Sequence, residues 1–405
     1  MPGHRTHPTR FSPEADRDEV IRSTLGRAVH GAADVGEVLA AVADVHAKQD
    51  HDAWFAAWRD LGERVAAQGD ASAAGGHRVS AASAYLRASA YLAVAVNAVA
   101  ALESEDDLLP TFRAHRRAWD AWVDHADLDV VRVSVPYEGD ALPGYLFRAP
   151  GDGPRPTVVA VNGSDGSLTS LWVECVAGAL ARGYHALVFD GPGQQSLLFE
   201  RGVPFRPDWE KVLTPVLDAV VARPEVDGDR VAVYGVSQAG YWVARALAFE
   251  HRPVAAVLDP GVVSVAASWE HEVPGSLLKL LDKGEYHAFD RDMELGMKLS
   301  RTTARTWRFR ARPYGADGYA ATLREVRRYD VADVADRITT PLLITDPEGE
   351  PFWPGQSQRL AALTPSVSTL APFTAAEGAD GHCQPLARAL TDQRVFDWLD
   401  GYLRG

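Results

Sequence analysis

Between residues 15 and 125 the apolar positions recur at helical spacing, as in Trp54, Phe55, Trp58, Leu61 and Val65 or Tyr85, Leu86, Tyr91 and Leu92. No alternating run interrupts them, so the stretch predicts a layer of amphipathic, alanine-rich helices in which Trp54, Trp58, Tyr85 and Tyr91 pack helix on helix. At Asp129 the pattern changes. Residues 130–137 and 142–148 read as two antiparallel strands joined through Glu138-Gly139-Asp140. Short apolar strands then alternate with helical stretches: strands at 157–162, 185–190, 230–234, 253–259, 341–346 and 367–373, helices at 168–182, 207–223 and 238–250, and a closing helix after Gln384. Such alternation predicts a parallel sheet covered on both faces. Between the strands at 253–259 and 341–346 lie about eighty residues rich in charge and aromatics, Trp269, Tyr286, Phe289, Trp307 and Tyr314 among them, too long for one crossover. They predict a helical insert at about 264–338. The expected division is therefore a flexible tail at 1–14, a helical domain at 15–128, and an α/β domain at 129–405 that carries the insert.

Length and charge narrow the possibilities. A chain of 405 residues with 46% hydrophobic content has enough apolar surface for large buried cores. Its net charge of -14 repels nucleic acid and anionic membrane surfaces. The first ten residues are basic and polar with no apolar segment, so neither a secretory signal nor an anchor is expected. Cys175 and Cys383 form no disulfide framework or metal spacing, which suits a reducing cytoplasm. No zinc, P-loop or dinucleotide motif occurs, and no cofactor or metal is expected.

The chemistry begins at Ser237. The apolar run Val231-Ala232-Val233-Tyr234 breaks at Gly235 and passes through Ser237-Gln238-Ala239-Gly240 straight into the helical pattern that starts at Tyr241. A serine on a sharp strand-to-helix turn is exposed as a nucleophile, and only small flanking residues fit such a turn. A nucleophile of this kind needs an acid and a histidine further along the chain. The strand at 341–346 leads into an acidic loop with Asp346, Glu348 and Glu350, and the strand at 367–373 leads through Glu377-Gly378-Ala379-Asp380-Gly381 to His382. Asp259, after the preceding strand, competes for the acid position. The loop Asn162-Gly163-Ser164-Asp165-Gly166 follows the first parallel strand, where a second oxyanion amide is expected from Ser164 to partner that of Gln238. Asp165 in this loop, with Trp269 and Asp290 in the insert, is expected to meet substrate. The turn Phe189-Asp190-Gly191-Pro192-Gly193-Gln194 reads equally well as a tight turn, and Gln194 receives no catalytic role.

Taken together, these motifs resemble the α/β-hydrolases that carry an N-terminal helical domain, a group that includes dihydroxypseudooxynicotine hydrolase and the polyketide chain-shortening hydrolases. The likeness rests on the helical N-terminal part, on residues 189–194 and 235–240, on the acidic loop ending Pro351-Phe352-Trp353-Pro354-Gly355-Gln356, and on residues 377–384. It implies a triad of Ser237, Glu350 and His382: Glu350 stands four residues before Pro354, where hydrolases of this fold often place the acid, and is favoured over Asp346 and Glu348 in its own loop and over Asp259. It also implies a substrate cavity between the helical domain and the sheet, and hydrolysis of a carbon–carbon bond beside a carbonyl (a retro-Claisen reaction), with esters and thioesters as neighbouring substrates. Ala239 and Gln195 stand where glycine is common, and the acid is a glutamate.

A serine hydrolase acting on a small polyketide-like or aromatic substrate is thus the leading expectation. An acyltransferase using the same triad and a non-catalytic binding protein on the hydrolase fold are the alternatives. The expected partner is a small-molecule substrate, with neither nucleic acid nor membrane, and a homodimer is allowed.

Overall fold

The computed structural model describes residues 10–45 and 50–404. Five helices open the chain: α1 (Ala15–Gly26), α2 (Val35–Val42), α3 (His51–Ala74), α4 (Arg78–Ala98) and α5 (Leu108–His125). Carboxylates start two of them, Asp34 accepting from the amides of Gly36 and Glu37, and Asp50 from that of Ala53. Small residues on α4 let α3 and α5 close on it, and Trp54, Trp58 and Tyr91 pack edge to ring between them. Together with the turn that follows it, α4 (Arg78–Ala101) is long and apolar enough to cross a membrane, but 72% of its most apolar window is buried here as a core helix. Of the expected tail, residues 1–9 lie outside the described residues. Phe11 and Ser12, by contrast, are fastened to α1, their amides donating to Asp18 Oδ1 at 2.6 and 3.2 Å.

The sheet has eight strands: β1 (Asp129–Tyr137), β2 (Asp140–Arg148), β3 (Arg155–Val161), β4 (His185–Phe189), β5 (Val226–Val236), β6 (Ala255–Asp259), β7 (Leu342–Pro347) and β8 (Ser368–Phe373). Their order is β1-β2-β4-β3-β5-β6-β7-β8, antiparallel from β1 to β4 and parallel throughout the rest. Glu138 and Gly139 take φ of 46° and 84°, the left-handed pair that a two-residue hairpin turn needs. β5 starts earlier than its apolar run suggests, because Arg155 pairs with Val226 across a register shift. Helices Glu210–Val221 and Ala239–Leu247 cover one face of the sheet. The other face packs against the helical stretch 168–181, helix Arg388–Leu403 and the N-terminal helices, where Trp119 and Trp122 of α5 meet Phe147 of β2. A five-residue π turn, Trp172–Val176, interrupts the stretch that was expected to be a plain helix.

The insert folds as helices Ala266–Glu270, Gly275–Asp282, Tyr286–Met297, Arg301–Ala311 and Tyr319–Val326 around a small core of Phe289, Met293 and Leu323. A Ser264–Asp330 bridge closes its base, and Arg305 ties it to the N-terminal helices by donating to the carbonyl of Ala101 at 3.1 Å.

Candidate active site

β5 ends at Val236, and Ser237 turns the chain into helix Ala239–Leu247 with φ of 57°, a left-handed conformation that costs a non-glycine residue about 1–3 kcal/mol. The turn closes only around small residues. A side chain at Gly240 would put its Cβ 2.0 Å from the carbonyl oxygen of Pro260, and one at Gly235 would lie 2.6 Å from that of Ala239. Ala239 itself is fully buried without difficulty, so the methyl that replaces the expected glycine is accommodated.

Ser237 Oγ–H donates to His382 Nε2 at 2.9 Å, and His382 Nδ1–H donates to Glu350 Oε2 at 2.7 Å. The other carboxylate oxygen of Glu350 accepts from the amides of Phe352 and Trp353 at 2.9 and 3.2 Å, fixing its direction. Burial works against the Glu350 anion, but the charge of His382 and these hydrogen bonds outweigh it and hold the carboxyl below its usual range. Burial likewise works against the charged form of His382. Here the charge and hydrogen bond of Glu350, helped by Asp259 and Asp165, prevail and raise the imidazole above 6.5. A general base must be neutral, so kcat/KM is expected to climb with pH through an inflection above 6.5, read from steady-state rates across pH 5 to 9.

The competing carboxylates are occupied elsewhere. Asp346 accepts from the Gln358 side chain, and exposed Glu348 accepts from the amide of Ala375 at 2.9 Å. Asp259 is fully buried beneath the histidine loop, where it accepts from Tyr234 (3.0 Å), Thr345 (2.6 Å) and Gln384 (3.0 Å). Its backbone carbonyl takes the amide of Ser237 and the thiol of Cys383. Cys383 and Gln384 follow His382 with φ of 55° and 45°, so Asp259 anchors a strained loop without touching the imidazole.

Gly163 lies against the nucleophile, since a Cβ there would sit 2.8 Å from that of Ser237, and this brings the loop of Ser164 and Asp165 alongside. Gly166 is small for a different reason, because a Cβ would strike the Asn162 side chain at 2.0 Å. Among the described residues the amides of Gln238 and Ser164 donate to no protein acceptor. Gln238 Oε1 accepts from Tyr314 of the insert at 3.2 Å, and Tyr314 packs edge-on against Trp269. Trp269 thus stands one ring away from the residue after the nucleophile. Asp290 is engaged within the insert, accepting from the amide of Ala320 at 2.7 Å.

Three further residues, none of them assigned to the site from the sequence, surround it. Gln194 donates to the carbonyls of Asn162 and Gly163 at 2.6 and 3.1 Å and accepts from the amide of Gly191, so the turn assigned no role clamps the loop beside Ser237. Arg388 donates to the carbonyl of Cys383 at 2.7 Å. Glu19 of α1, on the exposed side of the helix, comes within electrostatic range of His382 and Asp380. The Gly191-Pro192-Gly193 spacing is a signal for Gln194, whereas Arg388 and Glu19 stand in helices with no such mark. Among the described residues no group of three or more His, Cys, Asp or Glu side chains is placed to hold a metal ion.

The chain is similar to known proteins over most of its length. The model of the alpha/beta hydrolase family matches residues 158–390. A hydrolase of Fusarium sp, LUC6, is 31% identical over 402 residues, covering 93% of this chain and 94% of its own. The 20-hydroxy-prefusarin hydrolase FUS2 of Gibberella moniliformis is 36% identical over 234 residues, 55% of each chain. Among solved structures, 2,6-dihydroxy-pseudo-oxynicotine hydrolase superposes with a TM-score of 0.72 at 19% identity, over 94% of this chain and 95% of that one, and so shares the fold from the N-terminal helices onward.

Proposed function

The chain belongs to the alpha/beta hydrolase family, and on that premise we propose that it is a serine hydrolase in which Ser237, His382 and Glu350 act as a triad on an acyl carbonyl. The observation that carries this reading is the unbroken hydrogen-bond chain from Ser237 Oγ through both imidazole nitrogens to Glu350. In it His382 takes the serine proton as Oγ attacks, and Glu350 holds the tautomer and stabilises the imidazolium. The amides of Gln238 and Ser164, which have no acceptor of their own, receive the developing oxyanion.

The substrate class proposed is a small polyketide-like or aromatic compound with a 1,3-dicarbonyl unit. Attack at one carbonyl gives a tetrahedral adduct, the bond to the central carbon breaks with its electron pair going to that carbon, and the resulting enolate takes the proton held by His382. Water then releases the acyl group from Ser237 as a carboxylic acid. Support comes from a relative named as a 20-hydroxy-prefusarin hydrolase, and from the aromatic insert that reaches Gln238 through Tyr314. The test is incubation with aryl 1,3-diketones in isotope-labelled water, followed by mass spectrometry. One labelled carboxylic acid and one methyl ketone per diketone are expected. Hydrolysis of simple esters with the diketones left intact would restrict the activity to esters.

A further inference from the structure

Next to the histidine loop lies an arginine that makes no close ion pair among the described residues. Arg27 follows α1 in a short turn, Arg27–His30, that is wedged between two elements of the α/β domain. The indole of Trp172 donates to the carbonyl of His30 at 3.0 Å, and the His30 ring bonds Asp392 at 2.7 Å. Gly26 touches the histidine loop directly, since a Cβ there would lie 1.8 Å from the carbonyl oxygen of Pro385. Arg27 is therefore held in place without being neutralised. It makes no ion pair within 4.0 Å among the described residues, and its one hydrogen bond is a long one, 3.4 Å, to the carbonyl of Ala90. Protein encloses the side chain, yet part of its surface still meets open space.

Glu174 completes the picture. It sits in the π turn Trp172–Val176, a distortion that often marks functional positions, and its Oε2 is buried with no hydrogen-bond partner. Its charge is felt by Arg27, and it lies within electrostatic range of His382. Arg388 bridges the two regions by hydrogen bonds, donating to the carbonyl of Glu174 at 3.0 Å and to that of Cys383, the residue after His382, at 2.7 Å.

We propose that Arg27, with Glu174 opposite it, forms a subsite for an anionic oxygen of the substrate, a carboxylate or an enolate remote from the carbonyl that Ser237 attacks. The proposal rests on the hydrolase reading and names the substrate feature that reading leaves open. A planar guanidinium with free donors is suited to a carboxylate or a delocalised enolate, and holding it in a rigid turn removes the ordering cost of binding. Burial raises the Glu174 carboxyl to about 7 despite the charges of Arg388 and Arg27, so near neutral pH it only partly cancels the positive charge beside it.

The test uses the full chain carrying Ser237→Ala and two ligands, mono-para-nitrophenyl glutarate and para-nitrophenyl pentanoate, which differ by a terminal carboxylate. Dissociation constants come from quenching of tryptophan fluorescence. Added to this background, Arg27→Gln is expected to weaken the glutarate ester relative to the pentanoate by roughly ten- to hundredfold, the worth of a charge-assisted hydrogen bond. Arg27→Lys should restore part of that preference, and Glu174→Gln should increase it roughly threefold, as removal of a nearby like charge does. A purely structural role would move both ligands together. An unchanged ratio in a folded Arg27→Gln protein, checked by circular dichroism, overturns the subsite. If that variant does not fold, an unchanged or reduced preference in Glu174→Gln overturns it instead. Release of nitrophenolate by the Ser237→Ala protein at the parent rate would overturn the triad, a result read separately from the ratio.

Discussion

Replacing Ser237 by alanine is expected to abolish turnover, with a loss on the order of a millionfold, because members of a triad act as a unit and the rest cannot work without the nucleophile. Folding should survive. The serine side chain makes one hydrogen bond, to His382, so its removal leaves that imidazole nitrogen at the site without stranding a group in the core. The strained φ of 57° is set by the turn and persists with alanine. Rates on aryl esters and labelling by a fluorophosphonate probe, beside a thermal melt matching the parent, check the prediction. A folded variant with near-normal activity would mean that some other group is the nucleophile.

The second large effect belongs to the acid. Glu350→Gln is expected to lower kcat about ten-thousandfold, since the amide neither fixes the tautomer that donates from Nδ1 nor stabilises the imidazolium. The same change removes the charge that raises His382 and leaves burial as the dominant influence, so the pH inflection of the residual activity should move to lower pH. Asp259→Asn should behave differently. Asp259 accepts three side-chain hydrogen bonds and stands 3.9 Å from buried Arg388, so its amide variant should lose roughly 3 kcal/mol of stability, the scale of a disrupted buried pair, with only a modest change in kcat. Asp346→Asn and Glu348→Gln should be near neutral in both respects. Steady-state kinetics with denaturant melts on the four variants distinguishes these patterns. An inactive Asp259→Asn alongside an active Glu350→Gln would transfer the acid role to the loop after β6.

Ser237 and His382 are legible in the chain because local sequence constrains them: a strand, a turn that admits only small residues and a helix in one case, a loop after the last strand in the other. Glu350 is less so. Four carboxylates stand at or just past the carboxyl ends of β6 and β7, and spacing alone does not say which one meets the imidazole. The structure separates them by the partners each has already taken. The limits of periodicity show in the helices as well, since residues 171–177 are apolar at all but Glu174 and no spacing there marks the π turn at Trp172–Val176. Arg27 and Glu19 lie furthest from view. They sit on or just after an ordinary polar helix, and only long-range packing of α1 against the histidine loop brings them near the site.

One ion pair sets the terms on which this architecture can be recombined. Arg116 of α5 meets Asp190 just after β4, a carboxylate that is 1% exposed and also accepts from Ser196. Four residues along, the same turn holds Gln194 and through it the loop beside Ser237. Exchanging the N-terminal helices for those of another family member would leave that anion buried without its cation unless an arginine arrived at the same place, a loss on the order of 3–5 kcal/mol. The insert has ties of its own, Arg305 to Glu103, Arg312 to Glu105 and Tyr314 to Gln238, but the carboxylates of those ion pairs are far less buried than Asp190. In laboratory chimeras, exchange of the insert should therefore cost less than exchange of the helical layer, which must travel with the turn after β4.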